Sequence, residues 1–277
     1  MYNSFLYNES LYNGTYQVSG VLTSSENISF NGYGLQNSSI VTSNLDFEDI
    51  QRDFETSAIP NGDGMIANAD HWRLKRITMT GILTQTTRAL LDTLIDEFKK
   101  QVSVQNKNLD IIMGDGTKRR WYCTATTIEV DRSKHYQITF ANFRLVFDCL
   151  VPFGENTGHS VTDFSVTDLV FSENIENVGN ASSAPVWIIL VTVATSITKI
   201  NITNNTTEEQ IELTTAVSAG DVIIFDSERE EVLKNGVEVD FDGVFPQLDP
   251  GTNSYTITAT GTSIEYELTA KTLPKYL

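Results

Sequence analysis

The feature that most constrains this sequence is an abrupt change of composition close to residue 185. A polar segment rich in Asn, Ser and Gly, residues 176–185, ends at Pro185 and is followed directly by the apolar segment 186–193. The apolar, β-branched residues predict a strand, while the polar residues and the proline before it are typical of a connection. We therefore expect a second domain to begin at residue 185.

The chain of 277 residues is long enough for two domains, each with its own hydrophobic core. Residues 1–27, dominated by Asn, Tyr and Ser, predict an N-terminal extension that folds as an arm against a neighbour. The first domain is predicted over residues 28–152, a connector over 153–184 and the second domain over 185–277.

The first domain combines strand patterns with one helix. Residues 84–87 offer helix N-caps, and apolar residues from Leu90 to Val102 then recur every three or four positions, which predicts an amphipathic helix. Strands are predicted at 28–30, 40–41, 72–83, 109–113, 118–123, 136–140 and 143–147. This domain is therefore expected to be a β-sandwich or sheet with one helix packed on it.

A long polar loop is predicted over residues 46–70, which are rich in Asp, Asn and Gly. Loops of this length are uncommon in compact domains and usually carry a function, so we expect a functional or assembly element. The segment 60–64 does not predict a calcium loop, because the spaced acidic ligands and the closing Glu are missing.

The second domain has only strand patterns. Turn residues follow one another at short intervals, with Asn235-Gly236 and Pro250-Gly251 as the clearest examples. Strands are predicted at 186–193, 197–203, 209–214, 221–226, 231–240 and 254–269. Short strands at this spacing, without a helical period, predict a β-sandwich.

Charge is distributed unevenly between the two halves of the chain. Residues 1–152 carry 14 basic and 17 acidic side chains, a net charge of −3, whereas residues 153–277 carry 5 and 19, a net charge of −14; together they give −17. Tight binding to a phosphate backbone is therefore not expected. The acidic half suits a soluble surface, or a wall along which nucleic acid passes without adhering.

The two cysteines, Cys123 and Cys149, lie in apolar strand-like segments and are predicted to be buried, reduced thiols rather than a disulfide or metal site. The three histidines, His71, His135 and His159, are scattered along the sequence. Neither a metal site nor a cofactor is predicted.

No catalytic constellation is found, and an enzyme is not predicted. The sequence lacks a nucleophile elbow, a His-Glu-x-x-His motif and a phosphate-binding glycine loop. Arg119-Arg120-Trp121 favours a solvated strand start over a nucleic-acid contact. Carboxylates are abundant over residues 221–242 and leave a hydrolase with an Asp/Glu pair as a remote hypothesis.

Several segments, in their order along the chain, resemble distal tail proteins of long-tailed bacteriophages. At the end of the connector and in the second domain they are Asn177-Val178-Gly179-Asn180-Ala181, Pro185-Val186-Trp187-Ile188, residues 202–204, 211–213 and 219–226, Val232-Leu233-Lys234-Asn235-Gly236 and residues 245–253. In the first domain they are Phe30-Asn31-Gly32-Tyr33-Gly34-Leu35, Arg76-Ile77-Thr78-Met79-Thr80-Gly81 and residues 138–152. The resemblance covers about residues 28–277.

The resemblance implies a mainly-β structural virion protein, with a tail-tube-like N-terminal sandwich that carries one helix and a galectin-like C-terminal sandwich. It implies a homohexameric ring at the distal end of the tail tube, with a central channel for DNA. The partners implied are the tail tube protein, the tail-tip hub or tail-associated protein, and receptor-binding or fibre proteins. The last residues, 273–277, are expected to pack back on the first domain.

The alternative is a carbohydrate- or receptor-binding protein of the phage tail, with Trp187 or Tyr255 in a sugar groove. The sugar-binding constellation of galectins is not found in this sequence. No signal peptide and no membrane segment are predicted, because the longest apolar run is far shorter than a membrane helix. We therefore expect synthesis in the host cytoplasm and a final location at the tail tip of the virion.

Overall fold

The computed structural model describes residues 28–49, 51–58, 63, 65–132 and 139–277. The predicted N-terminal extension, residues 1–27, lies outside these residues. The chain divides into two compact units between Gly154 and Glu155.

The first unit contains nine strands and one helix among the residues described. They are β1 (Ile28–Phe30), β2 (Tyr33–Gly34), β3 (Ile40–Phe47), β4 (Arg52–Ala58), β5 (Met65–Trp72), β6 (Lys75–Thr84), α1 (Arg88–Val102), β7 (Lys107–Ile112), β8 (Lys118–Asp131) and β9 (Phe140–Cys149). Seven of the strands form one antiparallel sheet in the order β2-β1-β7-β8-β9-β6-β3.

This sheet is strongly curled, so that side chains of distant strands meet inside it. Phe30 of β1 lies 5.0 Å from Phe147 of β9, measured between ring centroids, although β7 and β8 separate the two strands. Phe47 of β3 lies 5.5 Å from Trp121 of β8. The core of the unit is therefore enclosed by a single sheet and by the helix that packs against it.

The helix α1 begins and ends where the sequence predicts. The hydroxyl of Thr87 accepts a hydrogen bond from the backbone N–H of Leu90 at 3.3 Å, which is an N-cap. Leu91, Ile95, Phe98 and Val102 recur on one face and are buried, whereas Leu90, predicted to share that face, is 49% exposed. The buried apolar face of α1 thus determines how the helix is oriented on the sheet.

The described residues of the segment 46–70 are mostly in strands and do not form the predicted loop. They complete β3, and then β4 and β5 pair as an antiparallel two-stranded sheet, with Asp53 opposite His71 and Ala58 opposite Met65. The prediction was wrong because the segment lacks the alternation of apolar residues by which a half-buried strand is recognised.

The prediction of two reduced cysteines is also wrong. Cys123 of β8 and Cys149 of β9 are direct cross-strand partners, with Cα atoms 4.1 Å apart, and form a disulfide. The sequence separates them by 26 residues, so their proximity depends on the pairing of β8 with β9, which local patterns do not reveal. Their predicted burial is confirmed.

Thirteen strands follow β9 in the described part of the chain, of which eleven form the two antiparallel sheets of the second unit; β10 and β22 pair with each other outside these two sheets. The thirteen strands are β10 (Gly154–Asn156), β11 (Ser160–Val166), β12 (Val170–Asn177), β13 (Val186–Thr195), β14 (Ile197–Asn204), β15 (Glu209–Val217), β16 (Val222–Asp226), β17 (Glu231–Lys234), β18 (Val237–Glu238), β19 (Asp242–Gly243), β20 (Gly251–Thr260), β21 (Ser263–Thr272) and β22 (Lys275–Tyr276). One sheet has the order β11-β21-β13-β16-β17-β18, and the other β12-β20-β14-β15-β19.

The two sheets pack face to face as the predicted sandwich. Trp187 of β13 and Tyr255 of β20 belong to different sheets, and their ring centroids are 4.7 Å apart. At the edge of the sandwich, Phe164 of β11 approaches Phe171 of β12 to 5.2 Å. Alternate residues of the strands fill the space between the sheets, as expected for two aligned layers.

The segment 153–184, predicted as a connector, contains strands of the second unit. β11 pairs with β21 over seven residues, and β12 pairs with β20 over eight, so that each forms the edge of one sheet. Edge strands need few buried side chains, here Val166 and Ile175, which explains why this composition resembles that of a linker.

The C-terminal residues pack within the second unit. Asn180 and Ala181 donate backbone hydrogen bonds to the carbonyl of Lys275, and the backbone N–H of Leu277 donates to the side chain of Asn180 at 2.7 Å. Gly179 leaves no room for a side chain against Lys275. That residues 273–277 also pack on the first domain stays a prediction.

Candidate functional site

The aromatic residues considered for a sugar groove are in the core. Trp187 is 1% exposed and Tyr255 is 2% exposed, and they contact each other between the two sheets. The hydroxyl of Tyr255 donates to the backbone carbonyl of Gln247 at 3.0 Å, and burial raises its pKa. Neither ring can stack on a ligand, so the hypothesis that either one lines a sugar groove is wrong.

Asp221, the first carboxylate of the acidic segment 221–242, stabilises turns. It accepts hydrogen bonds from the side chain of Asn235 and the backbone N–H of Ser218, both at 2.8 Å, and pairs with Lys234 at 3.0 Å. The Asn235 hydrogen bond, followed by that from Ser218, holds the pKa of Asp221 below its usual value. A carboxylate that stays ionised and partnered in this way is unsuited to act as a general acid.

The next acidic residues of this segment form a small surface network. Arg229 lies 3.9 Å from Asp226 and 3.5 Å from Glu231, and Asp226 also accepts two backbone N–H groups from residues 228 and 229. Within the residues that the structure describes, no group of three or more His, Cys, Asp or Glu side chains is arranged to hold a metal ion. The segment thus shows turn and edge structure and no paired catalytic carboxylates.

The basic cluster that opens β8 is neutralised by acidic neighbours. Arg120 donates two hydrogen bonds to Asp110, at 2.7 and 2.9 Å, and Lys118 lies 3.0 Å from the same carboxylate. Burial raises the pKa of Asp110, but the hydrogen bonds from Arg120 and Lys118 outweigh it and leave the pKa lowered. Trp121 is buried, so the cluster offers no stacking platform for nucleic acid.

The hairpin β4–β5 is held mainly by polar contacts near its base. The side chain of Arg73 donates to Asp53, and His71 lies 3.6 Å from the same carboxylate. The guanidinium of Arg52 lies 5.0 Å from the ring centroid of Trp72, a cation–π contact. No apolar core supports this ribbon in the contacts described, which distinguishes it from the other strands of the unit.

A shallow polar depression of about 220 Å³ lies where the hairpin leaves the unit. It is lined by Glu48, Asp49, Gln51, Arg73, Leu74 and Arg76. Arg76 is engaged by Asp148 at 2.8 Å, and Leu74 is 46% exposed at the rim. An open, charged hollow with one exposed apolar side chain fits a contact surface better than a site that encloses a small molecule.

Helix α1, with 15 residues, is the longest helix in the described part of the chain, and no helix there is both long and apolar enough to cross a membrane.

Comparison with solved structures identifies the fold. The crystal structure of the Dit protein (gp 19.1) of phage SPP1, described as a paradigm of the hub adsorption apparatus in phages that infect Gram-positive bacteria, matches with a TM-score of 0.67 and 16% identity. The alignment covers 91% of this chain and 99% of that one, so both units are included.

Residues 179–269 match the family model described as "Siphovirus-type tail component, C-terminal domain". This part of the chain is therefore similar to the C-terminal domain of siphovirus-type tail components. The matched region begins in the turn before β13 and ends in β21, so it covers most of the second sandwich. The predicted resemblance to distal tail proteins and the mainly-β fold with one helix are thereby confirmed.

Two structures of the phage p2 baseplate in its activated conformation, one with Ca and one with Sr, also match this chain. Their identities are 8% and 7%, with 81% and 80% of this chain and 90% of each matched chain covered, and their TM-scores are 0.33 and 0.34. Among curated proteins, no sequence matches this chain significantly.

Proposed function

We propose that the chain is a non-enzymatic adaptor that forms a homohexameric ring at the distal end of a siphophage tail. The ring would join the tail tube to the tail-tip or baseplate proteins and to receptor-binding components, and DNA would pass through its central channel. The observation that carries this proposal is the match of both units together, over 91% of the chain, to a protein described as a hub of the adsorption apparatus.

The hairpin β4–β5 supports an assembled state. A two-stranded ribbon is marginally stable in water unless another surface covers it. This ribbon pairs with no third strand among those described, and its charged side chains are neutralised locally, as in the pair of Arg73 with Asp53. A neighbouring copy in a ring would supply the missing surface.

The charge of the chain agrees with passage of DNA without adhesion. Its formal net charge is −17, and in the first unit the basic cluster of β8 is paired with Asp110 and Asp115. A channel built from such a chain would present few unpaired cations to the phosphate backbone, whose binding requires them.

Mass measurement of the purified chain tests the ring. A hexamer has a mass of about 185 kDa, six times the chain mass of 30.8 kDa, and negative-stain images should show closed rings. Replacing residues 53–71 by a short turn should abolish the ring while circular dichroism retains the β signal. As a control, adding two residues at the exposed Gly158 should leave the rings intact. A strict monomer at high concentration would contradict the proposal.

A further inference from the structure

The two outer faces of the second sandwich differ sharply in composition. On the sheet β12-β20-β14-β15-β19, the outward residues of the three inner strands are polar. They are Thr252, Ser254, Thr256, Thr258 and Thr260 on β20, Lys199, Asn201 and Thr203 on β14, and Gln210, Glu212 and Thr214 on β15. This is the composition expected of an antiparallel sheet that faces water.

The other sheet has an apolar outer face. On β13, Trp187, Ile189 and Val191 point into the core, so Val186, Ile188 and Leu190 alternate outward. The register continues the apolar surface, because Ile188 lies opposite Ile224, Leu190 opposite Val222, and Ile224 opposite Leu233. We call this surface the apolar stripe: Val186, Ile188, Leu190, Val222, Ile224 and Leu233.

The stripe is accessible in the isolated chain. Leu190 is 42% exposed, and the other five residues are partly exposed. The strand β13 begins with six consecutive apolar residues, 186–191, and β16 begins with four, 222–225. Uninterrupted apolar runs are typical of strands covered on both faces, and here the core covers only one. The sequence thus indicates that a second layer covers the stripe.

Carboxylates border the stripe on both sides. On one side, Glu267 lies opposite Leu190, Glu265 follows along β21, and Asp163 faces Thr269 on the edge strand. On the other, Asp226 pairs with Val186, and Glu231 and Glu238 share this face of β17 and β18. Lys271 is the one basic residue at the paired positions of this face. An apolar centre with a charged rim is the organisation of a protein interface.

We infer that the apolar stripe is a docking surface for another tail protein, one that presents apolar side chains flanked by Lys and Arg residues. A second copy of the same face is disfavoured, because carboxylates of the two copies would meet across the contact, and Arg229 lies beside only Asp226 and Glu231 among the six. This inference rests on the proposed function, since it names the chemistry by which the adaptor holds a partner. It deepens that function by assigning the contact to one face of one sheet.

Site-specific photo-crosslinking tests the inference in assembled particles. The full-length chain, with benzoylphenylalanine in place of Leu190, is supplied during phage assembly, and purified particles are irradiated and analysed by mass spectrometry. The matched control places the same group at Gln210, which is exposed on the polar outer face of the other sheet. We expect Leu190 to crosslink a different tail protein through a peptide of net positive charge, and Gln210 to give little product.

A second variant tests the charged rim without altering the stripe. Glu265→Lys with Glu267→Lys should lower the Leu190 crosslinking yield by about tenfold, because attraction at the rim becomes repulsion. An unchanged yield, no product at Leu190, or a crosslink to another copy of this chain would overturn the inference while the ring proposal stands. If the chain were missing from purified particles, the proposed function itself would fail, and the inference with it.

Discussion

The carboxylate of Asp221, just before β16, contacts Lys234 and Asn235 at the β17–β18 turn. It accepts hydrogen bonds from Ser218 and Asn235 and pairs with Lys234, so Asp221→Asn should lower the free energy of unfolding at neutral pH by about 1–3 kcal/mol. Because the pKa of Asp221 is lowered in the folded chain, this stabilisation is fully present above the unfolded pKa of about 3.9. It is lost as the pH falls through the lower folded value.

Urea unfolding of the wild type and Asp221→Asn from pH 7 to pH 3 measures this effect. The difference between the two proteins should be largest near neutrality and shrink as the pH drops below about 4. Asp242→Asn, at an exposed position, serves as the control and should change little. A difference that grows on acidification would contradict the assigned role.

The second prediction at the scale of single residues concerns the Cys123–Cys149 disulfide. The disulfide links residues 26 positions apart and so restricts the conformations of the unfolded chain. For a loop of this length, this restriction raises the free energy of unfolding by about 3.5 kcal/mol. We expect Cys123→Ala with Cys149→Ala to lower the unfolding free energy of the first unit by up to this amount. Thiol titration of the denatured, unreduced wild type should find no free thiol, and two titratable thiols would refute the assignment.

At the scale of elements, the β17–β18 hairpin depends on the backbone of its turn. Asn235 and Gly236 both have positive φ, 53° and 77°, which the two-residue hairpin turn requires. Gly236→Ala should therefore cost about 1 kcal/mol of stability. Gly158 is a matched control, because an added Cβ would meet open space at both positions but only Gly236 has positive φ. Equal effects of the two substitutions on thermal unfolding would contradict this account.

The elements that the sequence predicts best are those whose own pattern determines them. The helix α1 has a cap and an apolar face, and β13, β14 and β15 have apolar alternation bounded by turn residues. The missed elements are β4, β5, β11 and β12, in which hydrogen bonding to a partner strand replaces burial of apolar side chains. The partners of β11 and β12 are distant in sequence, so their local composition favours a linker. The strands β4 and β5 are neighbours in sequence, but they lack apolar alternation, so their composition favours a loop.

The same distinction applies to the functional surface. The apolar run at 186–191 is visible in the sequence, but which of its residues face outward follows only from the sheet register. The carboxylates that border it come from β11, β17, β18 and β21, which are far apart along the chain. For Trp187 the sequence is misleading in the opposite direction. A tryptophan in a sandwich strand suggests a surface on which a sugar could stack, but this side chain is buried in the core.

At the scale of the whole molecule, the position of the boundary between the units is itself testable. The buried core of the second unit extends from Val166 to Ala270, so it includes the strands that precede Pro185. A fragment from Glu155 to Leu277 retains both edge strands and the complete core. A fragment that begins at Pro185, where the composition changes, loses Val166 and Ile175 and leaves the edges of β20 and β21 unpaired.

We expect the longer fragment to be soluble and to unfold in one cooperative transition, because both sheets of the sandwich and its core are present. The shorter fragment should aggregate or bind a hydrophobic dye, since two sheet edges and part of the core become exposed. Thermal melts by circular dichroism, with dye fluorescence in parallel, measure both. Equal stability of the two fragments would place the boundary at Pro185 and make β11 and β12 accessory strands. An unfolded longer fragment would show instead that the sandwich requires the first unit in order to fold.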